Sequence, residues 1–311
     1  MAAERRASLT EGDVRSHLVR LTVPMIWGIL AMMSLNVVDT WFVAQLGKDE
    51  LAAMSFTFPV VMVLVSLGIG LMAGTSSVIA RVVGRGDWPR VQRLTTDALL
   101  LAALCAVILS VVGLLLLEPI FRLLGAGDDL MPLIRDYMTV WFAGYVVFLV
   151  PMAGVGAIRA VGEARLQSYI MLVASLVNLV LDPLLIFGLL GFPALGMTGA
   201  ALATVLARAS SLALGFYVLH HKKEMMALSL PTRVELIDSW RAVGHVGLPA
   251  AGTNVIIPLA TGALVAMVSK FGPEAVAGYG AASRLEALAL VVFFARSSII
   301  GPFVGQNLGA D

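Results

Sequence analysis

Long apolar runs alternate with short polar connections along almost the whole chain. Windows of about 20 predominantly apolar residues, the length that an α-helix needs to cross a bilayer, predict eight membrane-spanning helices: residues 20–45, 53–80, 95–117, 133–157, 167–190, 196–219, 244–270 and 276–304. The pattern therefore predicts an all-α integral membrane protein. Composition agrees, since 59% of the 311 residues are hydrophobic and 13% are charged, whereas about a quarter of the residues in a globular domain are charged.

Basic residues are distributed unevenly between the polar connections. The N-terminal segment and every second connection hold 14 Lys and Arg residues, and the opposite connections hold 4. Since cytoplasmic connections carry an excess of Lys and Arg, we expect a multi-pass protein of the cell membrane with a cytoplasmic N-terminus. The net charge of +1 and the lack of a basic patch argue against a nucleic-acid partner. The single Cys105 excludes an internal disulfide.

The chain resembles itself at an offset of 225 residues, at which Pro24 corresponds to Pro249 and Gly84 to Gly309. An even number of helices in each copy makes such a repeat parallel, with its axis along the membrane normal. This interpretation gives four parts: a cytoplasmic N-terminal segment (1–19), an N-lobe with helices 1–6 (20–219), a cytoplasmic linker (220–243) and a partial C-lobe with two helices (244–311). A complete second copy would need about 150 more residues by this repeat arithmetic, so we expect the chain to be part of a longer transporter.

Two acidic residues interrupt the apolar pattern. Asp39 and Asp182 each lie inside a predicted spanning helix, roughly 9 Å and 12 Å below its outer end at about 1.5 Å per residue. A carboxylate at this depth is unfavourable unless it faces a wet cavity, a cation or a partner. The alternative is that each acid only bonds a neighbouring helix, but such bonds contribute about 0.6 kcal/mol on average. The pattern therefore favours a functional site.

Polar side chains from four N-lobe helices are predicted near the same depth. Carboxylate, amide and hydroxyl oxygens are suitable ligands for a small hard cation, and protonated acids could carry protons instead. The candidate cation-coupling residues, which would be metal ligands if the ion were Na⁺, are Asp39, Asp182, Asn178 and Thr204. The candidate substrate-cavity residues are Tyr137, Asn36 and Arg284. For Asn178, Tyr137 and Thr204 a packing role is an equal alternative.

Other polar and small residues in the apolar runs are expected to be structural. Arg208 and Arg296 lie closer to the cytoplasmic side, where long basic side chains reach for the interface. Two GxxxG patterns, at 70–74 and 301–305, predict close helix packing.

Several spaced motifs resemble the multidrug and toxic compound extrusion (MATE) family, most closely its DinF-like branch. The motifs are LTVPM with NVVDTWFVAQLG, SSVIARVVGRGD, NLVLDPLLIFG followed by GMTGAALAT, and VGQNLGA. The resemblance covers residues 15–311 and about the first two-thirds of a family member. It implies a twelve-helix antiporter with two six-helix lobes, of which this chain would hold about eight helices. It also implies that Asp39 is central to coupling with H⁺ or Na⁺, supported by Asn178, Asp182, Thr204 and Tyr137. A glutamate that NorM-like members carry early in helix 7 is missing, which favours coupling in the first lobe.

The leading hypothesis is a secondary active antiporter, not an enzyme, that exports organic and often cationic compounds in exchange for H⁺ or Na⁺. It needs no cofactor beyond the coupling ion, and its partners are a small organic substrate and the lipid bilayer. We expect a monomer. A flippase for lipid-linked glycans, of similar two-lobe build, is the alternative. An intramembrane aspartyl protease is a third hypothesis, because GAGD at 125–128 matches a GxGD pattern, but this motif falls in a predicted outer loop instead of a helix.

Overall fold

The computed structural model describes residues 9–227, 229, 231–271 and 273–310. In these ranges the regular structure is helical throughout. The α-helices are α1 (Val14–Ala44), α2 (Lys48–Gly84), α3 (Trp88–Leu115), α4 (Leu117–Leu123), α5 (Met131–Ala143), α6 (Tyr145–Ala160), α7 (Ala164–Phe187), α8 (Gly196–Tyr217), α9 (Arg233–Val268), α10 (Pro273–Ala289) and α11 (Val291–Ala310). We call the end of the bundle at which α1 begins the base, and the opposite end the mouth.

Six of the helices are long and apolar enough to cross a membrane, and a seventh span is formed if α5 and α6, which meet at a bend of 46°, count as one. The eighth predicted span, 276–304, is divided instead between α10 and α11, and α10 with 17 residues falls short of a spanning length. The spanning helices generally extend beyond the predicted apolar windows. Their polar end turns keep helical hydrogen bonds outside the apolar layer, so hydropathy alone places the helix ends too far inward.

Local sequence sets several of the helix ends. Asp13 and Asp87 begin α1 and α3, each accepting a hydrogen bond at its side chain from a backbone N–H of the first turn, as N-cap residues do. Gly188 ends α7 with a φ of 72°, a left-handed conformation that glycine adopts without steric cost. α8 continues as a π-helical turn, Val218–Lys222. The non-helical connection before α9 is therefore 223–232, within the predicted linker 220–243.

Close packing around α2 joins the two copies of the repeat. α2 contacts α6 and α3 of the N-lobe on some of its faces and α9 and α11 of the second copy on others. A Cβ on Gly70 or Gly74 would meet the backbone of Gly247, so the first GxxxG pattern forms the predicted close contact. In the second pattern Gly305 packs against Ala80, whereas a Cβ on Gly301 would meet no atom within 4 Å.

The contact between α2 and α11 at the base is symmetric. A Cβ on Gly84 would meet the carbonyl oxygen of Gln306, and a Cβ on Gly309 would meet that of Arg81. Both Gly309 and Gln306 lie 225 residues after their counterparts in α2, so each contact repeats the other with the copies exchanged. A self-complementary contact of this kind is produced by a two-fold axis, which supports the parallel repeat.

Candidate functional site

Asp182 lies in the mouth half of α7, one turn before the helix ends, and its side chain is buried. Asn178, one turn earlier on the same face, donates from Nδ2 to Asp182 Oδ1 at 3.0 Å. The other carboxylate oxygen, Oδ2, is buried and has no hydrogen-bond partner among the described residues. Pro183 follows directly and is accommodated inside the helix. The carboxylate is thus fixed on one side and open to a further ligand on the other.

Asp39 approaches the same region from α1, whose helix packs along α7. Its Oδ1 is also buried without a partner in the described structure. The two carboxylates are close enough to interact electrostatically. Tyr137 of α5 is buried and lies within electrostatic range of both acids, and its hydroxyl accepts a hydrogen bond from the Trp141 indole. Three helices therefore bring two acids and a phenol together below the mouth.

Thr204 lies in α8, which packs against α7 where Gly199 meets the backbone of Leu185. Its hydroxyl donates to the carbonyl of Ala200 in the same helix at 3.1 Å, so the structure does not place it in a hydrogen bond with either acid. Its oxygen lone pairs remain available to a ligand. The side chains of Asn36 and Arg284, two of the predicted cavity residues, lie outside the described side chains.

The donor set suits a proton or a monovalent cation. Within the described residues there is no group of three or more His, Cys, Asp or Glu side chains that could hold a metal ion. Two carboxylate oxygens without partners, with amide and hydroxyl oxygens beside them, form a hard but weakly charged site. Such a site accepts H⁺, or Na⁺ coordinated by Asp39, Asp182, Asn178 and Thr204.

Arg208 differs from the sequence-based expectation. It lies near the centre of the 27-residue span Gly196–Lys222, and its guanidinium stacks over the ring of Phe148 at 4.8 Å instead of reaching for the interface. No carboxylate pairs with it among the described side chains. An intramembrane charge without a counter-charge is a functional candidate. Its four-residue spacing from Thr204, which places both on one face of α8, was the signal available in the sequence.

A chain of aromatic rings connects the acids with this arginine. Trp141, which bonds Tyr137, packs against Tyr145 and Phe148 with ring centroids 5.9 Å and 5.1 Å away. Tyr145 and Phe148 stack on each other at 5.9 Å. The Tyr145 hydroxyl donates to the carbonyl of Leu64 in α2, which fixes the cluster against the centre of the bundle.

The GxGD motif does not lie near the site. Residues 125–128 form part of the turn between α4 and α5 at the mouth, and the Asp128 carboxylate is 89% exposed in a loose ion pair with Arg122. A protease of this type needs two acids facing one enclosed water pocket, so the motif carries no catalytic role.

A helical membrane bundle built from parallel repeats, with buried acids near one end of its spans, has the organisation of a secondary transporter. The MatE family model matches residues 24–184 and again residues 249–311, two segments that start at the offset of the repeat. The chain belongs to the MATE family of membrane transporters, which are not enzymes.

Several relatives match most of the chain. A protein of Shewanella oneidensis named FAD transporter is 39% identical over 305 residues, covering 98% of this chain and 68% of the relative. A probable multidrug resistance protein of Bacillus subtilis, YoeA, is 27% identical and covers 86% of this chain and 58% of the relative. The crystal structure of a mutant of VcmN, a MATE transporter of Vibrio cholerae, superposes with a TM-score of 0.89 at 30% identity, over 95% of this chain and 66% of that one. The chain thus spans about two thirds of the length of these proteins.

Proposed function

We propose that the protein is a secondary active antiporter that exports organic, often cationic compounds in exchange for H⁺ or Na⁺. The observation that carries the proposal is the pair of buried carboxylate oxygens, Asp39 Oδ1 and Asp182 Oδ2, without hydrogen-bond partners in the described structure. An unpaired carboxylate buried among apolar helices is unfavourable, and binding a proton or a cation removes the cost. The names of relatives such as the multidrug export protein MepA of Staphylococcus saprophyticus support an export role.

The arrangement suggests how ion and substrate are coupled. The ion binds Asp39 and Asp182, which lie on different helices, and its occupancy favours one relative position of α1 and α7. Because ion and substrate favour different arrangements, each lowers the affinity of the other, and this coupling is reciprocal. Tyr137, next to both acids, transmits the change in charge to the aromatic residues below it.

The proposed orientation places the base in the cytoplasm of the cell and the mouth outside, in the plasma membrane. The basic residues of the connections that gather at the base support this orientation, since Lys and Arg are retained on the cytoplasmic side. The acid pair then lies in the outer half of the membrane, where it can take up an ion from the outside before the inward-open state releases it.

Flavin nucleotides are a second candidate substrate class. The favouring observations are the 39% identity to the FAD transporter of Shewanella oneidensis and the stack of Arg208 on Phe148 in the middle of the bundle. A guanidinium pairs with phosphate oxygens through parallel hydrogen bonds, and aromatic side chains stack with planar rings. An arginine beside an aromatic cluster therefore offers both contacts that a flavin nucleotide requires.

The test uses inside-out membrane vesicles with imposed H⁺ or Na⁺ gradients. We expect uptake of a cationic dye or of FAD, driven by one of the two gradients, and Asp39→Asn should abolish the response to that gradient. Dye or FAD transport that persists without dependence on either gradient in Asp39→Asn and in the unmodified protein alike would refute ion coupling. Flipping of a lipid-linked glycan in the same vesicles, without dye or FAD transport, would favour the flippase alternative.

A further inference from the structure

A short segment ahead of α1, residues 9–13, crosses the base of the bundle and contacts both copies of the repeat. We call this segment the strap. Its shape is set locally: Asp13 caps α1 by accepting from the Ser16 N–H at 2.9 Å, and Gly12 has a φ of 104°, which favours glycine. His17 Nε2 donates to the carbonyl of Glu11 at 2.7 Å. These interactions turn the chain back towards the bundle.

Leu9 is the residue that this turn inserts into the base. Its side chain is 2% exposed and belongs to a buried apolar cluster formed by three helices. The other buried members are Leu21 and Met25 of α1, Ala164 of α7, and Ala295 and Ile299 of α11. One leucine thus packs at the junction between the N-lobe and the second copy.

The backbone of Leu9 is bound by the second copy alone. Its N–H donates to Gln306 Oε1, and its carbonyl accepts from Asn307 Nδ2, each at 3.2 Å. The amide of Gln306 in turn donates from Nε2 to the carbonyl of Ala160, the last residue of α6, at 2.6 Å. Gln306 is fully buried and therefore ties together the strap, α6 and α11. These two amides belong to the VGQNLGA motif, for which the ion site provides no role.

The strap breaks the symmetry of the repeat. The position that corresponds to Leu9 in the second copy is Val234, which lies in the first turn of α9 and is exposed. The symmetric contacts of α2 with α11 are backbone packing between helices, whereas the strap adds one detachable side chain and three side-chain amide bonds. A non-helical segment with few contacts can leave without unfolding a helix.

We propose that the strap is a releasable bolt: the base stays closed while Leu9 is seated against Gln306 and Asn307, and Leu9 must leave before the two copies separate at the base. The inference rests on the proposed transport function only in so far as the base has to open during a cycle. Leu9 and its two amide partners bridge the surfaces that such an opening separates, so they cannot keep their contacts in the open state.

The first experiment locks the bolt. In a Cys105→Ser background, Leu9→Cys and Asn307→Cys are joined by a short, cleavable bifunctional thiol reagent, and efflux from vesicles is measured before and after cleavage. We expect efflux to fall to the level of Asp39→Asn and to recover when the cross-link is cut. The control pair, Glu11→Cys with His17→Cys, joins the strap to α1 within one copy and should leave efflux unchanged. Unchanged efflux with the cross-linked Leu9–Asn307 pair overturns the proposal.

The second experiment reads the base directly and does not depend on a transported compound. Ala80→Cys, buried where α2 packs on Gly305, reports opening by its rate of maleimide labelling. Leu9→Ala should raise this rate severalfold, whereas Val234→Ala, its counterpart in the repeat, should not. A rate that stays the same in Leu9→Ala refutes the bolt even if transport is established. A raised rate supports the bolt even if neither dye nor FAD is transported, in which case only the proposed function fails.

Discussion

Asn178 holds Asp182 across one turn of α7, with its Nδ2 3.0 Å from one carboxylate oxygen while the other oxygen remains buried without a partner in the described structure. A hydrogen bond to an ionised acceptor contributes about 1.5–3 kcal/mol. The amide therefore orients the carboxylate and favours its charged form, which is the form that binds a cation or accepts a proton.

Replacement of Asn178 by Leu should slow ion-driven efflux about tenfold or more, because about 1.4 kcal/mol corresponds to a factor of ten in rate. The measurement is the initial rate of uptake into inside-out vesicles, divided by the amount of protein in the membrane. The matched control is Asn254→Leu in α9, whose amide donates to the carbonyl of Ala250 within its own helix. Equal rates for the two variants would show that Asn178 serves packing alone.

Arg208 should distinguish the two substrate classes. Arg208→Met keeps the length of the side chain but removes the charge that stacks on Phe148. Transport of FAD should then fall at least tenfold, while transport of a cationic dye should be unchanged or faster, since a buried positive charge repels a cation. Arg296→Met, at an exposed position of α11, is the control and should affect neither. An equal loss of both activities in Arg208→Met would indicate a structural role.

The sequence was sufficient to predict the long helices, the parallel repeat and the depth of the acids, because apolar length, Pro and Gly positions and charge are all readable from one chain. The pairing of Asn178 with Asp182 followed from their spacing on one helix. The break between α10 and α11 did not, since the apolar pattern runs through Leu290. The roles of Leu9, Gln306 and Arg208 depend on contacts between residues far apart in sequence, and hydropathy gives no information about those contacts.

Asp97 and Arg93 should be essential for stability although they lie far from the acid pair. They form an ion pair one turn apart in α3, with side chains 0% and 10% exposed. Arg93 also donates to the carbonyl of Ser229, and the Trp240 indole donates to the carbonyl of Asp97, so the pair holds the connection between the copies.

Removal of the Asp97 carboxylate leaves a buried guanidinium without its counter-charge, which typically costs about 3–5 kcal/mol. We therefore expect Asp97→Ala to lower the thermal unfolding midpoint in detergent, and the double variant Arg93→Met with Asp97→Leu to recover part of the loss. Asp128→Ala, which breaks the exposed pair with Arg122, should leave the midpoint unchanged, as exposed pairs contribute little. A midpoint for Asp97→Ala equal to that of Asp128→Ala would contradict this view.

The glycine contact on the repeat axis should set how tightly the base closes. An added methyl group at Gly84 or Gly309 would press on a backbone carbonyl of the other copy, and overpacking of this kind costs about 1–3 kcal/mol. The strain exists only while α2 and α11 are in contact, so it favours an open base instead of unfolding both helices. We expect Gly309→Ala to raise maleimide labelling of Ala80→Cys and to slow transport. Gly301→Ala, two turns earlier in α11 with free space around its Cα, should do neither, because alanine there only strengthens the helix. If Gly301→Ala and Gly309→Ala label at the same rate, the axis contact does not hold the base closed.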